Sequence, residues 1–376
     1  MSKILVIGKY YSPFSGGIEE HTRSICEHAA KQHEVDVLVS NHEKGSRIDE
    51  LNGVRIIRKH VHINIKNQPI SLGFFSGVNF SDYDLVQFHS PNPAVSAQFI
   101  KANLFRKWPK LVITHHMDIY GRKLLRLISM PFMRTMFDKA AFTIVTSMKN
   151  AKISKDLPEK GRYVAIPLAI DPADYPVTDA VRAEAMAWRK EIAGDAPVVG
   201  FIGRHARYKG LDVFMRALVK LPGVHAFIGG DGPERARAEA LVKELKISDR
   251  VHFFGLLPHR DKIKLLVSLD AFIFPSTEIT EAFGISQLEA MLCGAPVIAS
   301  ELPTGVTDVS INEVTALTFP PGHVNALTDR MSQLLADPEK AASLATKARE
   351  HVLTNMSHDV VNNRTIKLFE DVIAAR

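Results

Sequence analysis

Short apolar runs alternate with helical spacing along nearly the whole chain. In the first half, continuous apolar stretches predict strands at Ile4–Ile7, Val35–Val39, Val54–Ile57, Leu85–Phe88, Leu111–Thr114, Phe142–Thr146 and Tyr163–Ile166. A second series follows at Val198–Ile202, Val224–Ile228, Val251–Phe254, Ala271–Phe274, Val297–Ala299 and Ala316–Phe319. Runs without polar alternation suit parallel sheets covered on both faces. Between the series, Ile170 to Pro176 reads IDPADYP and predicts an interdomain linker. The pattern is that of two doubly wound α/β domains facing each other across a cleft, 1–172 and 173–357. From Val361 to Ala375 the spacing is helical, with no further strand.

Open α/β sheets bind ligands beyond the carboxyl ends of their strands, so the residues just after each run are the ones to read. After Ala271–Phe274 comes a loop with Glu281, then Phe283-Gly284-Ile285, then helical spacing at Leu288, Met291 and Leu292 that ends at Gly294 and Pro296. Gly284 places Glu281 in the loop and Glu289 in the second helical turn. The free N–H groups of the helix start then lie between two carboxylates, a place for an anion with hydroxyl-rich neighbours. Two surface glutamates on an ordinary crossover helix would give the same letters.

After Val198–Ile202, Gly203-Arg204-His205-Ala206-Arg207-Tyr208-Lys209-Gly210 puts Arg204 and Lys209 where they can converge on a diphosphate; a solvated basic loop is the alternative. Gly229-Gly230-Asp231-Gly232-Pro233-Glu234 is another glycine turn at a strand end, able to bring backbone to a base edge or simply to connect. In the first half, Gly16-Gly17 lets backbone approach a ligand but lacks the G-x-G-x-x-G dinucleotide pattern. His89-Ser90-Pro91-Asn92-Pro93 and His115-His116-Met117-Asp118 follow neighbouring strands. No Cys, third-strand His or H-E-x-x-H completes a metal set, so these imidazoles suit hydroxyl groups better; His89 also fits a plain loop or capping residue.

With 376 residues the chain is too long for one core, and 46% hydrophobic with 23% charged is an ordinary soluble composition. Two cysteines, Cys26 and Cys293, make neither a disulfide framework nor a metal site, which points to a reducing cytoplasm. The first residues read as a strand rather than a signal segment, and no apolar run approaches the ~20 residues of a membrane span. Through Pro172 there are 24 Lys and Arg against 15 Asp and Glu, and after it 23 against 26. A basic half suits an anionic substrate, anionic lipid or nucleic acid; no aromatic-interleaved basic stretch supports the last.

Taken together, the Gly16-Gly17 loop, HSPNP, T-H-H-x-D at Thr114–Asp118, G-R-x4-K-G at Gly203–Gly210, G-G-D-G-P-E and E-A-F-G-I-x3-E-A resemble the retaining GT-B glycosyltransferases of family 4. More loosely, they resemble the mannosyltransferases of bacterial surface polysaccharide and lipopolysaccharide assembly. The resemblance implies a nucleotide sugar as co-substrate, GDP-mannose first, with no metal and no other cofactor. Arg204 and Lys209 would grip the donor diphosphate, and Glu281 would contact the donor sugar. The amides of Phe283, Gly284, Ile285 and Ser286 would meet phosphates and sugar, and Glu289 would bind the ribose. His116 would sit beside the donor sugar, and Gly17 would approach the phosphate. The N-terminal domain would hold the acceptor, with a final helix at about 358–376 packing back on it.

Asp82-Tyr83-Asp84 matches a D-x-D motif but precedes its strand. With no carboxylate identified on the sugar's far face, retention would proceed by front-face attack. Two rivals share parts of this reading. One is a nucleotide-sugar 2-epimerase of the same fold, which would act without an acceptor; the other is a transferase using a UDP- or dTDP-sugar.

The acceptor expectation starts from the basic half. Arg122, Lys123, Arg126, Arg134 and Lys139 are interleaved with Leu124, Leu125, Leu127, Ile128, Met130, Phe132, Met133 and Phe137, and Pro131 is expected to split the stretch into two short helices. Such a stretch fits a membrane interface or an ordinary core-covering helix. The first option implies a lipid-linked or oligosaccharide acceptor and peripheral contact with the inner face of the plasma membrane.

Overall fold

The computed structural model describes residues 1–14, 16–65, 68–119 and 123–375. Arg122, part of the expected interfacial stretch, lies outside them, as does the side chain of Lys123. Two compact units divide the chain: Met1–Ala169 with His358–Arg376, and Ile170–Ser357.

The first unit is built on strands β1 (Lys3–Ile7), β2 (Glu34–Ser40), β3 (Arg47–Leu51), β4 (Val54–Lys59), a small hairpin β5 (Ile63–Ile65) and β6 (Gln68–Ile70), then β7 (Leu85–Ser90), β8 (Leu111–His115), β9 (Phe142–Val145) and β10 (Tyr163–Ala165). Its helices are α1 (Gly17–Ala29), α2 (Pro93–Asn103), α3 (Lys123–Lys139), α4 (Met148–Ile153) and, from the far end of the chain, the helix His358–Ala374. The main sheet runs β10-β9-β8-β7-β1-β2-β4-β3. All pairings are parallel except β3 with β4. The antiparallel β3 departs from the expected all-parallel sheet. Arg47-Ile48-Asp49-Glu50-Leu51 is too polar for an apolar run, and Asn52-Gly53, at φ 51° and 78°, turns it tightly onto β4.

Apolar side chains fill both faces of this sheet. One cluster joins Val6, Val37 and Val39 to Ile25, Cys26 and Ala29 of α1 and to Val361, Ile366, Phe369 and Val372 of the last helix. The other joins Leu5, Ile7 and Phe88 to Phe99 of α2 and Met133, Met136 and Phe137 of α3. The last helix is fixed further by Asn362 Nδ2, which donates to Ser24 Oγ at 2.8 Å, and by Lys110 Nζ, which caps the carbonyls of Ile373 and Ala375.

Pro131 does not divide α3, contrary to the sequence expectation. The helix is continuous over 17 residues with the proline inside it. Proline's ring already holds a helical φ, and the bond it cannot make falls at Leu127, where the chain is 73% exposed and water can serve the carbonyl.

The second unit has α5 (Asp179–Ala193), β11 (Val198–Ile202), α6 (Leu211–Val219), β12 (His225–Gly229), α7 (Arg235–Glu244), β13 (Val251–Gly255), α8 (His259–Val267), β14 (Ala271–Phe274), α9 (Ile285–Leu292), β15 (Val297–Ser300), α10 (Val306–Val309), β16 (Leu317–Phe319), α11 (Val324–Ala336) and α12 (Pro338–Asn355). The helix His358–Ala374 is α13. The sheet is wholly parallel in the order β13-β12-β11-β14-β15-β16. Strand order reverses between β11 and β14 here, and between β1 and β7 in the first unit. These two switch points are where a crevice opens at the carboxyl ends of the strands.

Candidate active site

In the second unit the loops that leave β11 and β14 meet at the switch point. Gly210 closes the first loop at φ 68°, and a Cβ there would lie 2.0 Å from the Pro275 carbonyl oxygen of the second. Only glycine permits that approach. Thr277 N donates to Tyr208 O at 2.7 Å across the same seam. The turn after β12 braces the first loop from the other side: Gly203 N donates to Gly229 O, His205 N to Asp231 O at 2.8 Å, and Glu234 N to His205 O. That turn's backbone thus holds the Arg204–Lys209 loop in place, a scaffolding part that the glycine pattern alone does not reveal.

Lys209 and Glu281 are brought together by this arrangement. Lys209 Nζ lies 2.5 Å from Glu281 Oε2, and Ser276 Oγ donates to the same oxygen at 2.9 Å. Lys209 is 9% exposed and Glu281 7%, so each charge depends on the other. Lys209 Nζ also sits over the Phe274 and Tyr208 rings at 5.3 and 5.4 Å. Arg204, on the same loop, is exposed, with no ion pair among the described residues.

Gly284 then starts α9 at φ 80°; a Cβ there would strike the Phe274 ring at 2.3 Å. No side chain caps this helix start, so the amides of Ile285 and Ser286 remain directed out of the first turn. One turn on, Glu289 Oε1 accepts from Tyr175 O–H and from Lys262 Nζ, both at 2.6 Å. Burial, then the charge of Glu289, pushes the Tyr175 phenol well above its ordinary range. With Oε1 engaged, Oε2 is the oxygen left to take a ligand hydroxyl.

The first unit's switch point carries imidazoles instead. His89, near the end of β7, and His116, just past β8, are joined by a 2.8 Å bond from Nδ1 to Nε2. His21 of α1 meets His116 edge-on at 5.5 Å between ring centres. Desolvation disfavours the charged form of all three, with His89 and His116 buried and His21 partly exposed. It lowers His21 to about 4 and His89 to about 3, and it lowers His116 well below the usual histidine range, with His89 and His21 adding to the effect.

His115 turns the other way. Its Nε2–H donates to Asp118 Oδ1 at 3.2 Å, and its Nδ1 accepts from Ser90 Oγ at 3.3 Å. Burial opposes the charge of Asp118, but donors from His115, Ser154 and the Lys155 amide outweigh it and lower its carboxyl. Asp118 therefore anchors the loop after β8. Gly17 is exposed as the first residue of α1, and nothing lies within 4 Å of a Cβ built there. Asp82-Tyr83-Asp84 is structural: Asp84 Oδ2 accepts from the Lys3 amide, and the Tyr83 O–H donates to Asp36. Among the described residues no group of three or more His, Cys, Asp or Glu is arranged to hold a metal.

Two family models match the chain in tandem, Glycosyltransferase Family 4 over residues 15–174 and Glycosyl transferases group 1 over 183–351. The chain belongs to the GT-B glycosyltransferases. This glycosyltransferase is 28% identical over 348 residues to the D-rhamnosyltransferase WbpZ of Pseudomonas aeruginosa, covering 90% of this chain and 88% of the relative. It is 26% identical over 384 residues to the O-antigen chain mannosyltransferase C of Escherichia coli, over 100% of both chains. Its fold is similar to that of sucrose-phosphate synthase from Thermosynechococcus elongatus, with a TM-score of 0.78, 23% identity and 100% of each chain covered.

Several residues of the glycosyltransferase's two crevices escaped the sequence pattern. Ser276, Tyr175, Lys262 and His21 are all placed by tertiary contact. Tyr175 stands in the stretch read as a linker, and Lys262 reaches Glu289 from another helix, 27 residues away. His21, four residues after Gly17 on one helix face, was open to discovery by helical spacing.

Proposed function

We propose that this enzyme transfers a mannose from GDP-mannose, with retention and without a metal, to a lipid-linked or oligosaccharide acceptor in the building of a surface polysaccharide or lipopolysaccharide. The observation that carries the reading is the Lys209–Glu281 pair, locked at the second unit's switch point beside the uncapped start of α9. Arg204, Lys209 and the α9 amides supply positive charge where a leaving diphosphate gains negative charge. Glu281 then turns to the donor sugar's hydroxyls as Lys209 turns to phosphate. The free oxygen of Glu289 receives the ribose.

The bond from the anomeric carbon to the diphosphate oxygen breaks while the acceptor oxygen bonds to the same face. The acceptor's proton passes to the departing phosphate oxygen, so no protein carboxylate needs to become covalently attached. His116 beside the donor sugar and Gly17 near its phosphate belong to the same proposal, with the acceptor on the first unit.

The choice of sugar is supported by the names of the two relatives: D-rhamnose is 6-deoxy-D-mannose, so both are named for manno-configured sugars. The D-rhamnosyl name favours a second reading in which the donor lacks the C6 hydroxyl. Thermal shift and turnover with GDP-mannose, GDP-D-rhamnose, UDP-glucose and a dTDP-sugar test both readings, because a bound donor stabilises the fold. Stabilisation and transfer with GDP-mannose, giving an α-linked product by anomeric coupling constants, is the expected result. Turnover only with a UDP- or dTDP-sugar would overturn the donor, and epimerisation of the sugar without acceptor would overturn the transferase reading.

The acceptor's lipid is assigned to α3. Leu124, Leu127 and Ile128 form an exposed stripe there at 71, 73 and 59% exposure. Among the described residues no helix is long and apolar enough to cross a membrane, so the contact proposed is peripheral.

A further inference from the structure

A groove of about 410 Å³ opens in the first unit beyond the carboxyl ends of β1, β2 and β4. It is separate from the imidazole cluster. Lys9 and Tyr10 line it from the loop after β1, Asn41 and His42 from the loop after β2, and His60 and Asn64 from the segment after β4. Its volume falls in the range of about 300–1,000 Å³ typical of small-molecule sites.

Two features mark it as more than a surface dent. First, it keeps an aromatic wall partly in water. Phe14 is 40% exposed and packs on the buried Tyr10 at 4.5 Å between ring centres, with His42 6.4 Å from Phe14. Second, the loop that bears this wall is clamped from beneath. Arg58, only 2% exposed, donates to the carbonyls of Tyr11 and Ser12 and is held by Asp49 of the edge strand β3 at 2.5 Å. A buried guanidinium directed at loop carbonyls fixes the wall before any ligand arrives, which lowers the ordering cost of binding. This also gives β3 a purpose: it supplies the carboxylate that makes the buried cation tolerable.

The lining chemistry selects the ligand. A pyranose ring offers one apolar C–H face and a rim of hydroxyls, and the groove offers the Phe14 ring beside imidazole and ammonium groups, the Asn41 amide being engaged by Gly45 O and Glu43 N. The lining carries both signs of charge, Lys9 and Lys44 with Glu43, which is itself paired with Arg47 at 2.5 Å. We propose that this groove is a saccharide subsite that takes a neutral sugar ring of the acceptor, stacked on Phe14. The inference rests on the glycosyltransferase reading above and goes further by locating the acceptor's sugar on named residues.

Saturation-transfer NMR on the full chain tests it, with the methyl glycosides of glucose, galactose, mannose and N-acetylglucosamine and methyl α-mannobioside as probes. At least one should receive saturation on its ring protons from the wild type. Phe14→Ala should weaken that binding about tenfold, and Phe14→Trp should retain it. Phe14 also covers Tyr10, so folding of Phe14→Ala is checked by circular dichroism and the glycosides are compared well below its melting temperature. No saturation of any glycoside, or equal saturation in the wild type and Phe14→Ala, would overturn the subsite. Donor stabilisation on the same samples separates the two levels. If GDP-mannose stabilises and is turned over while Phe14→Ala binds glycosides normally, the subsite alone fails. If glycosides bind through Phe14 but no nucleotide sugar binds, the donor reading fails and the subsite stands.

Discussion

The two switch-point crevices are built from opposite chemistry on the same topology. The second unit lines its crevice with two carboxylate–ammonium pairs, Lys209 with Glu281 and Lys262 with Glu289. The first lines its own with three imidazoles whose charged form desolvation disfavours. The contrast runs against the charge balance of the halves, since the basic half presents uncharged rings and the acidic half presents the cations. Net charge describes a surface, whereas the groups in a crevice follow from which strand ends meet there. Paired charges can be exchanged for a diphosphate and its hydroxyls, while neutral rings can donate and accept toward a sugar without attracting an ion.

The sharpest way to break this comparison is to remove one member of the charged pair. Glu281→Ala and Lys209→Ala are each expected to lower transfer by ~10²-fold or more, because each acts where charge changes during reaction. Each also leaves a buried partner unpaired, so each should lower stability, by about 3–5 kcal/mol at the upper end. The double variant Lys209→Met/Glu281→Gln separates the two effects: chemical denaturation should show stability largely recovered, while turnover stays lost. Near-normal turnover in either single variant would show that the pair only braces the loop. Arg204→Ala should weaken nucleotide sugar and free nucleoside diphosphate alike by calorimetry.

A smaller effect is expected from the seam beneath the pair. Gly210→Ala would drive a Cβ into the Pro275 carbonyl and hold a left-handed φ. It should lower stability by about 1–3 kcal/mol and raise the donor KM more than it lowers kcat. Gly17→Ala is the counterpart in the first unit, where a Cβ meets nothing. The fold should be indifferent to it, so any loss of donor affinity reports ligand contact alone.

The neutral crevice is sharpened by pH. A histidine lowered in the fold but ordinary when unfolded gains a proton first in the unfolded chain. Stability is therefore unaffected well above the ordinary value of 6.5 and falls as pH drops from there toward about 4, by at most about 1.4 kcal/mol per unit for each such ring. Asp118 acts in a lower window: its depressed carboxyl contributes stability above its ordinary 3.8, lost as pH falls through the folded value. His205, His225 and His252 of the second unit are also lowered by burial and share the upper slope. The first unit's part is read by difference. In melts from pH 7 to 4.5, His89→Gln should flatten the slope relative to wild type, and an unchanged slope would mean that water already reaches the ring.

Much of this was legible in the residues, and what was not has a common cause. Parallel strands buried on both faces are written as apolar runs, so nearly all of β1 to β16 could be read. The exceptions were β3, a polar strand at the edge of the sheet, and β5 and β6, a separate hairpin whose three-residue strands are too short to leave an apolar run. For β3 the signal lay in the Asn52-Gly53 turn and not in hydrophobicity. Glu281, Glu289, Arg204 and Lys209 could be picked out because each follows a strand at a fixed offset. Their partners could not: Ser276, Tyr175 and Lys262 are joined to them by folding, and a lysine on α8 carries no local mark of the glutamate it will meet. The same holds for Arg126. It reads as a free interfacial cation, yet its Nε lies 2.5 Å from the fully buried Asp156.

That last correction decides how the weakest part of the comparison, the lipid side of the first unit, must be tested. Replacing Arg122, Lys123 and Arg126 together by Ser would unpair Asp156 and disturb the loop it holds, because Asp156 also accepts from the Ile119 amide at 2.7 Å. Any loss of membrane binding would then be confounded with misfolding. The informative change is Leu127→Ser with Ile128→Ser, two adjacent exposed side chains of α3 outside the core clusters. Burying two such chains in an interface contributes a few kcal/mol at most, and only part of each is covered there. The double variant should therefore sediment with anionic vesicles several-fold less than wild type, while the salt dependence carried by the remaining cations persists. Thermal shift by GDP-mannose should be the same for both, since the second unit's crevice is untouched. Equal sedimentation of wild type and variant would leave α3 as a helix whose exposed leucines face only water, and would remove the membrane from the acceptor's description.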